Sequence, residues 1–315
     1  MTWVTWRQHR AQILTTAAFL TVLGVVLLST AIEARAYVSR SFPAACLPDT
    51  ACGLSEIAAG LAARYDAVYT VFGWMPLVLP ALVGAFWGAP LLGREYERGT
   101  YRLAWTQGVP VRRWLMVKLG LLGGAAAAGG LLLSLMVSLW RREFQPAAGG
   151  GFGNIGVFNM TGVAPGAWWL YAFALGAFAG AVLRRTLPAM ALVVAGVAAT
   201  MFALFGLSDH YATPERAVLR DSVVLADPDA RLVDATWVDP SGRPVENPTG
   251  CERPLDGRRM ERWHDCLFAR GYTYAVRYHP PERFWRFQWT EAGILVAASV
   301  LLGGLTVHRV LRRTA

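Results

Sequence analysis

Chemistry in this chain would have to come from a short set of side chains. Asp209-His210, His264-Asp265 and His279 offer imidazoles with carboxylates close by, the groups used in general acid–base catalysis, but lone histidines in polar loops are more often solvated or structural. Cys251, His264 and Cys266 are three zinc-type donors, yet Cys-x12-His-x-Cys is not a usual ligand spacing. Gly151-Phe152-Gly153-Asn154-Ile155-Gly156 fits G-x-G-x-x-G letter for letter. No strand pattern precedes it and no clear helix with a ribose-binding acid follows, so it reads as a glycine-rich loop. There is no G-x-x-x-x-G-K-[ST], and the sole lysine, Lys118, has no glycine-rich turn before it. The chain is therefore expected to carry no catalytic residue, no metal ligand and no cofactor of its own.

The densest charge lies elsewhere. Arg94, Arg98, Arg102, Arg112, Arg113 and Lys118 stand against Glu95 and Glu97, six positive charges less two negative, for a local net of +4. At helical spacing Glu95 falls near Arg98 and Glu97 near Tyr101, while Gly99 leaves a gap where another surface can approach closely. These features suit a short docking helix. An ordinary solvated loop held by phosphate headgroups is the competing reading from charge alone.

The elements that must position this stretch are membrane spans. The chain has 315 residues, 55% of them hydrophobic, which is too apolar for an ordinary soluble domain. Residues 12–32 form a charge-free run of 21, enough to cross ~30 Å at ~1.5 Å per residue. Ala34-Arg35-Ala36 has the form of a signal cleavage site, but the apolar run before it exceeds the ~7 to 15 residues of a signal peptide core. Further spans are expected near 67–93, 114–140, 166–183, 188–208 and 290–308. Runs of this length are too long for barrel strands, so the fold predicted is an all-α integral membrane protein with six transmembrane helices. Trp3 and Trp6 with Arg7 and Arg10 suit an interfacial helix over 1–11, the indoles at headgroup depth and the guanidiniums on anionic lipid.

Within the spans, Pro76 and Pro80 predict a kink in the outer half of the second. Gly84 with Gly88, Gly120 with Gly124 and Gly176 with Gly180 permit close helix approach, within one subunit or across a dimer seam. Lys118 is placed to reach the interface by extending its stem. No Asp, Glu, His or Arg is expected in the core of any span, which argues against a carboxylate-driven carrier and an intramembrane protease.

Sidedness follows from charge. With both termini and residues 94–113 cytoplasmic, the inner segments hold 13 basic and 2 acidic residues, and the outer ones 17 and 19. The net charge of +9 is thus a positive-inside signature, and nucleic-acid binding is not expected. All four cysteines fall outside, where two local disulfides, Cys46–Cys52 and Cys251–Cys266, are predicted. Residues 209–289 form an extracytoplasmic insert that the second bridge would staple into a small domain with its own core. Its end interleaves arginine with Phe284, Trp285, Phe287 and Trp289, an aromatic belt at the outer interface.

The run Glu97-Arg98-Gly99-Thr100-Tyr101-Arg102, then Val109-Pro110, Arg112-Arg113 and Lys118, resembles the cytoplasmic link of ABC transporter permeases of the type-2 exporter superfamily. The resemblance covers residues 1–208 and 290–315 and leaves the insert unmatched. It implies a permease subunit that docks a separate ABC ATPase through Glu95, Glu97, Arg98, Gly99, Thr100, Tyr101 and Arg102, with ATP and Mg on that partner. It implies also a second permease subunit, identical or not, in the plasma membrane of a bacterial cell. Apolar helix faces favour a hydrophobic or amphipathic substrate moved outward. The alternative is a membrane-anchored sensor or scaffold that binds an extracellular ligand through 209–289.

Overall fold

The computed structural model describes residues 2–41, 54–99, 110–144, 152–223, 225, 227, 229–252 and 260–312. Among these, six helical segments are long and apolar enough to cross a bilayer: His9–Arg40, Gly73–Arg98, Val111–Arg142, Ala164–Leu183, Thr186–Ser208 and Pro281–Leu311. The helices are α1 (Thr2–Ser41), α2 (Leu54–Val83), a π turn (Gly84–Gly88), α3 (Ala89–Arg98), α4 (Val111–Phe144), the short α5 (Ile155–Phe158), α6 (Ala164–Leu183) and α7 (Thr186–Ser208). After the insert, α9 (Phe284–Leu311) is the sixth span. Residues 2–11, expected as an interfacial helix, are the first turns of α1, which is unbroken through Ser41.

One compact unit comprises residues 1–148, 156–206 and 288–315. Its centre is α6, a helix rich in Ala and Gly whose fifteen buried residues include Trp168, Trp169 and Phe173. Small residues allow this burial. A β-carbon added at Gly84, Gly88, Gly176 or Gly180 would come within 3.0 Å of a backbone atom of the facing helix, so α6 and the second span touch backbone to backbone. Gly130 of α4 meets Pro165 and Gly166 of α6 in the same way. These pairs are contacts within one subunit. Gly120 and Gly124 have nothing within 4 Å of an added β-carbon.

Backbone irregularities lie on both sides of Pro76 and Pro80. The non-helical residue inside α2 is Tyr65 (φ −113°, ψ 20°), ahead of Pro76 and Pro80. The ladder then widens into the π turn, where the N–H of Ala89 bonds Gly84 O. Pro90 has no N–H to offer Phe86 O four residues back, and Gln12 Nε2 of α1 donates to that oxygen at 2.8 Å.

At the start of α6, Gln288 serves as a cap from another helix. Its Oε1 accepts the N–H groups of Val163 and Ala164 at 3.0 and 2.9 Å, and its Nε2 donates to Phe158 O at 2.8 Å. One carboxylate departs from the expectation of spans without buried acids. Glu291 is 4% exposed and accepts the indole N–H of Trp168 at 2.8 Å. It lies early in the sixth span, and the indole supplies the donor that burial takes away.

The second unit comprises residues 149–155 and 207–287. Strands β1 (Glu215–Leu219), β2 (Arg231–Val238), β3 (Pro244–Val245) and β4 (Thr273–His279), with helix α8 (Met260–Ala269), form an antiparallel sheet of order β1-β4-β2-β3. The spans are helical as predicted; the strands belong to the insert. Asp239 Oδ1 pins the β2–β3 turn by accepting the N–H groups of Ser241 and Arg243, both at 2.9 Å. The Ser241 hydroxyl, at 2.6 Å from the same oxygen, is the main reason the Asp239 carboxyl titrates below its usual range. Trp237, Trp263 and Leu267 make the core, with Tyr274 and Phe268 against them. The predicted Cys251–Cys266 disulfide ties the preceding loop to α8, while Cys46 and Cys52 lie outside the described residues.

A second cluster in this unit surrounds His279, which is fully buried, with its ring 4.8 Å from that of Phe287. Arg231, itself buried, bonds Ser208 Oγ at 2.5 Å and Asp209 Oδ1 at 3.1 Å. Arg283 Nη1 approaches His279 Nδ1 at 3.3 Å, and Arg283 Nη2 pairs with Glu215 at 2.7 Å. Burial first, then the two guanidiniums, hold the His279 pKa below its ordinary 6.5, against the opposing pull of the Asp209 carbonyl and carboxylate.

Gly176→Leu should prevent recovery of a monodisperse protein in detergent, whereas Gly124→Leu should change thermal stability by no more than about 0.5 kcal/mol. Because burial favours neutral His279, the stability it confers is complete above the unfolded pKa of 6.5 and is lost as pH falls below it. Cleavage of the insert by limited proteolysis should therefore rise as pH falls through that window, and His279→Gln should flatten the response.

Candidate coupling surface at the basic end of the helices

The stretch singled out by its charge begins on α3. Its inner face buries Ala89, Leu91, Leu92 and Gly93, while Arg94, Glu97 and Arg98 are exposed. Gly99 closes the helix in the left-handed region (φ 68°), its N–H on Tyr96 O at 3.3 Å, with nothing within 4 Å of where a β-carbon would sit. Thr100, Tyr101 and Arg102 lie outside the described residues.

Glu95 and Glu97 are both engaged within the chain. Glu97 Oε1 accepts the backbone N–H of Thr186 and Oε2 accepts its hydroxyl, each at 2.8 Å. Thr186 is the first residue of α7, so this carboxylate satisfies an orphan donor and meets the positive end of the helix dipole. Next to it, the Arg184 guanidinium lies 5.3 Å from the Tyr96 ring centroid. Arg184 is the one non-glycine residue with positive φ (56°) among those described, at a cost of roughly 1 kcal/mol. Tyr96 and Glu97, consecutive on α3, thereby hold the α6–α7 turn from both sides of Arg185.

Glu95 binds the other way. Its Oε1 is 2.6 Å from Lys118 Nζ on α4, and the ammonium sits 4.3 Å from the Trp114 ring centroid. Lys118 is only 3% exposed, so the expectation that it extends to the interface is corrected. A carboxylate within reach removes the need to snorkel, since pairing offsets desolvation. On α1, His9 Nδ1 donates to Gln12 Oε1 at 2.6 Å, and Gln12 in turn reaches Phe86 O. Arg7 and Arg10, expected as interfacial anchors, are exposed; Trp3 and Trp6 lie in α1, their side chains outside the described residues.

Sequence reasoning missed Tyr96, Trp114 and Thr186. Thr186 carried a signal, since a threonine two residues before Pro188 has the form of a helix start. The partnership with Glu97, 89 residues earlier, had none.

Six apolar helices, one of them with fifteen of its twenty residues buried, describe a multi-pass membrane protein. A family model described as ABC-2 membrane transporter related matches residues 17–207, more than half of the chain, and the chain belongs to that family. The match runs from within span one to the end of span five, includes residues 94–113, and stops just before the insert. No curated protein and no solved structure matches the chain.

The Glu95–Lys118 pair yields a double-mutant prediction. Lys118→Met alone leaves a largely buried carboxylate uncompensated and should cost on the order of 3 kcal/mol. Glu95→Gln together with Lys118→Met should recover most of that loss, as read by thermal unfolding in detergent. Equal destabilisation of the single and double variants would show that the pair is incidental.

Proposed function

We propose that the chain is the membrane subunit of an ATP-driven exporter in which a separate ABC ATPase, carrying ATP and Mg, docks on the cytoplasmic face. Residues 94–113 are the docking segment, and a second permease subunit completes the assembly in the plasma membrane. The observation that carries this reading is the double attachment of α3, through Glu95 to α4 and through Glu97 to the start of α7. A push delivered at the segment after Gly99 would act on two spans at once. Arg94 and Arg98, exposed, are the groups left to meet acidic side chains of the partner. Family membership supports the transporter class, and the apolar faces of the helices favour an amphipathic or hydrophobic substrate moved outward. The insert, with its own aromatic core and disulfide, favours a second reading as a membrane-anchored sensor or scaffold.

The test is copurification with a tagged candidate ATPase, followed by ATP hydrolysis and transport in proteoliposomes. Glu97→Arg and Gly99→Val are expected to insert at wild-type levels yet uncouple hydrolysis from transport. Normal transport by both would remove the docking assignment. Failure of any ATPase to copurify would shift weight to the sensor.

A further inference from the structure

His279 is held in one tautomer by its two neighbours. Its Nε2 lies 3.3 Å from the carbonyl oxygen of Asp209, which can only accept, so Nε2 carries the hydrogen. Its Nδ1 lies 3.3 Å from Nη1 of Arg283, which can only donate, so Nδ1 offers a lone pair. The neutral imidazole satisfies both contacts. The imidazolium cannot, because both of its nitrogens are donors and one would aim its hydrogen at a guanidinium.

The surroundings sharpen this conflict. His279 is fully buried, Arg231 of β2 stands opposite it in the β2–β4 register, and the Phe287 ring is 4.8 Å away. Arg283 approaches from the 3₁₀ turn Pro281–Arg283. Two carboxylates balance the two guanidiniums: Asp209 accepts from Arg231 at 3.1 Å, and Glu215 of β1 from Arg283 at 2.7 Å. A proton on His279 adds a third positive charge where both of these carboxylates are already engaged.

Arg283 is the member able to leave, since its side chain is 24% exposed whereas Arg231 is buried. Its Nη1 also donates to Thr213 O at 2.6 Å, so this one side chain clamps the approach to β1 onto the turn that precedes α9. We propose that His279 is a proton-binding site that controls the Arg283 clamp: a proton taken from solvent onto Nδ1 displaces Nη1 of Arg283, which gives up Thr213 O and frees the leading end of β1. The site is independent of the docking assignment above. β1 is the strand that yields, because it lies at the edge of the sheet, while β2 and α8 share the Trp237–Trp263 core and α8 carries the Cys251–Cys266 bridge. With the His279 pKa held below 6.5, the clamp is closed at neutral pH and opens as pH falls below that value.

Amide hydrogen exchange of the full chain in nanodiscs, corrected for the intrinsic pH dependence of exchange, locates the opening. Between about pH 7.5 and about pH 5, protection over Glu215–Leu219 should fall several-fold, at most about tenfold per pH unit for one linked proton, while protection over α8 should hold. His279→Gln keeps an acceptor and a donor but does not titrate, so β1 should stay protected across the range. Arg283→Gln removes the clamp, so β1 should be poorly protected at both ends of it. Equal loss of protection in α8 and β1 would mean that the insert unfolds as a whole, and a pH step that survives in His279→Gln would put the proton elsewhere; either result overturns the proposal. Should His279→Gln not fold, the wild-type contrast between β1 and α8 decides alone.

Discussion

Between the second span and α6 the chain removes side chains so that backbone can meet backbone. In hydrocarbon there is no gain from burying one apolar helix against another, so association depends on contact area, and contact area on how near the axes come. Gly84, Gly88, Gly176 and Gly180 set that nearness. What lies downstream depends on it: α3 continues directly from the π turn, and its last residues reach the α6–α7 turn only because the two helices are already in contact. The π turn falls within the same segment as the glycines, and Gln12 bonds the carbonyl that Pro90 cannot pair. Close approach and irregular hydrogen bonding are two consequences of one local composition, rich in Gly and Pro.

Polar side chains within the first unit act mainly at helix ends. Gln288 meets the orphan amides at the start of α6, Glu97 that at the start of α7, and Gln12 an oxygen within the π turn. An unsatisfied amide in lipid costs several kcal/mol. Each of these residues therefore fixes where a helix may begin or bend. Lys118 and Glu95 extend the principle to charge, two groups too costly to bury singly that settle against each other and against Trp114.

The spans were legible because length and hydropathy are local quantities: the expected boundaries of spans three to five lie within a few residues of the helices found. The cysteine pair of the insert was legible for the same reason. Its sheet was not, since β1 and β4 pair across 55 to 63 positions and their alternation is weak, Ala217 and Ala275 being among the paired residues. The break at Tyr65 was not legible, because proline marks only one way of interrupting a ladder and there the chain departs from helix without one. Of the candidate coupling residues, charge identified the stretch, but the partners of Glu95 and Glu97 lie 23 and 89 positions away, and no spacing rule reaches across that distance.

On the proposed function, these internal partnerships determine how force would travel. A carboxylate directed at a mobile partner can be pulled without moving its own helix, because an exposed side chain has rotamers to spare. Glu97 lacks that freedom, with both oxygens on Thr186. Displacement of α3 must therefore either carry the α6–α7 turn with it or break two hydrogen bonds at a helix start. Lys118 imposes the same choice on α4, in a setting where the separated charges would be poorly solvated. If α3 leads into a docking segment as proposed, its attachments would make it a lever shared by two spans, the acidic residues holding the subunit together and the exposed arginines being left for the partner.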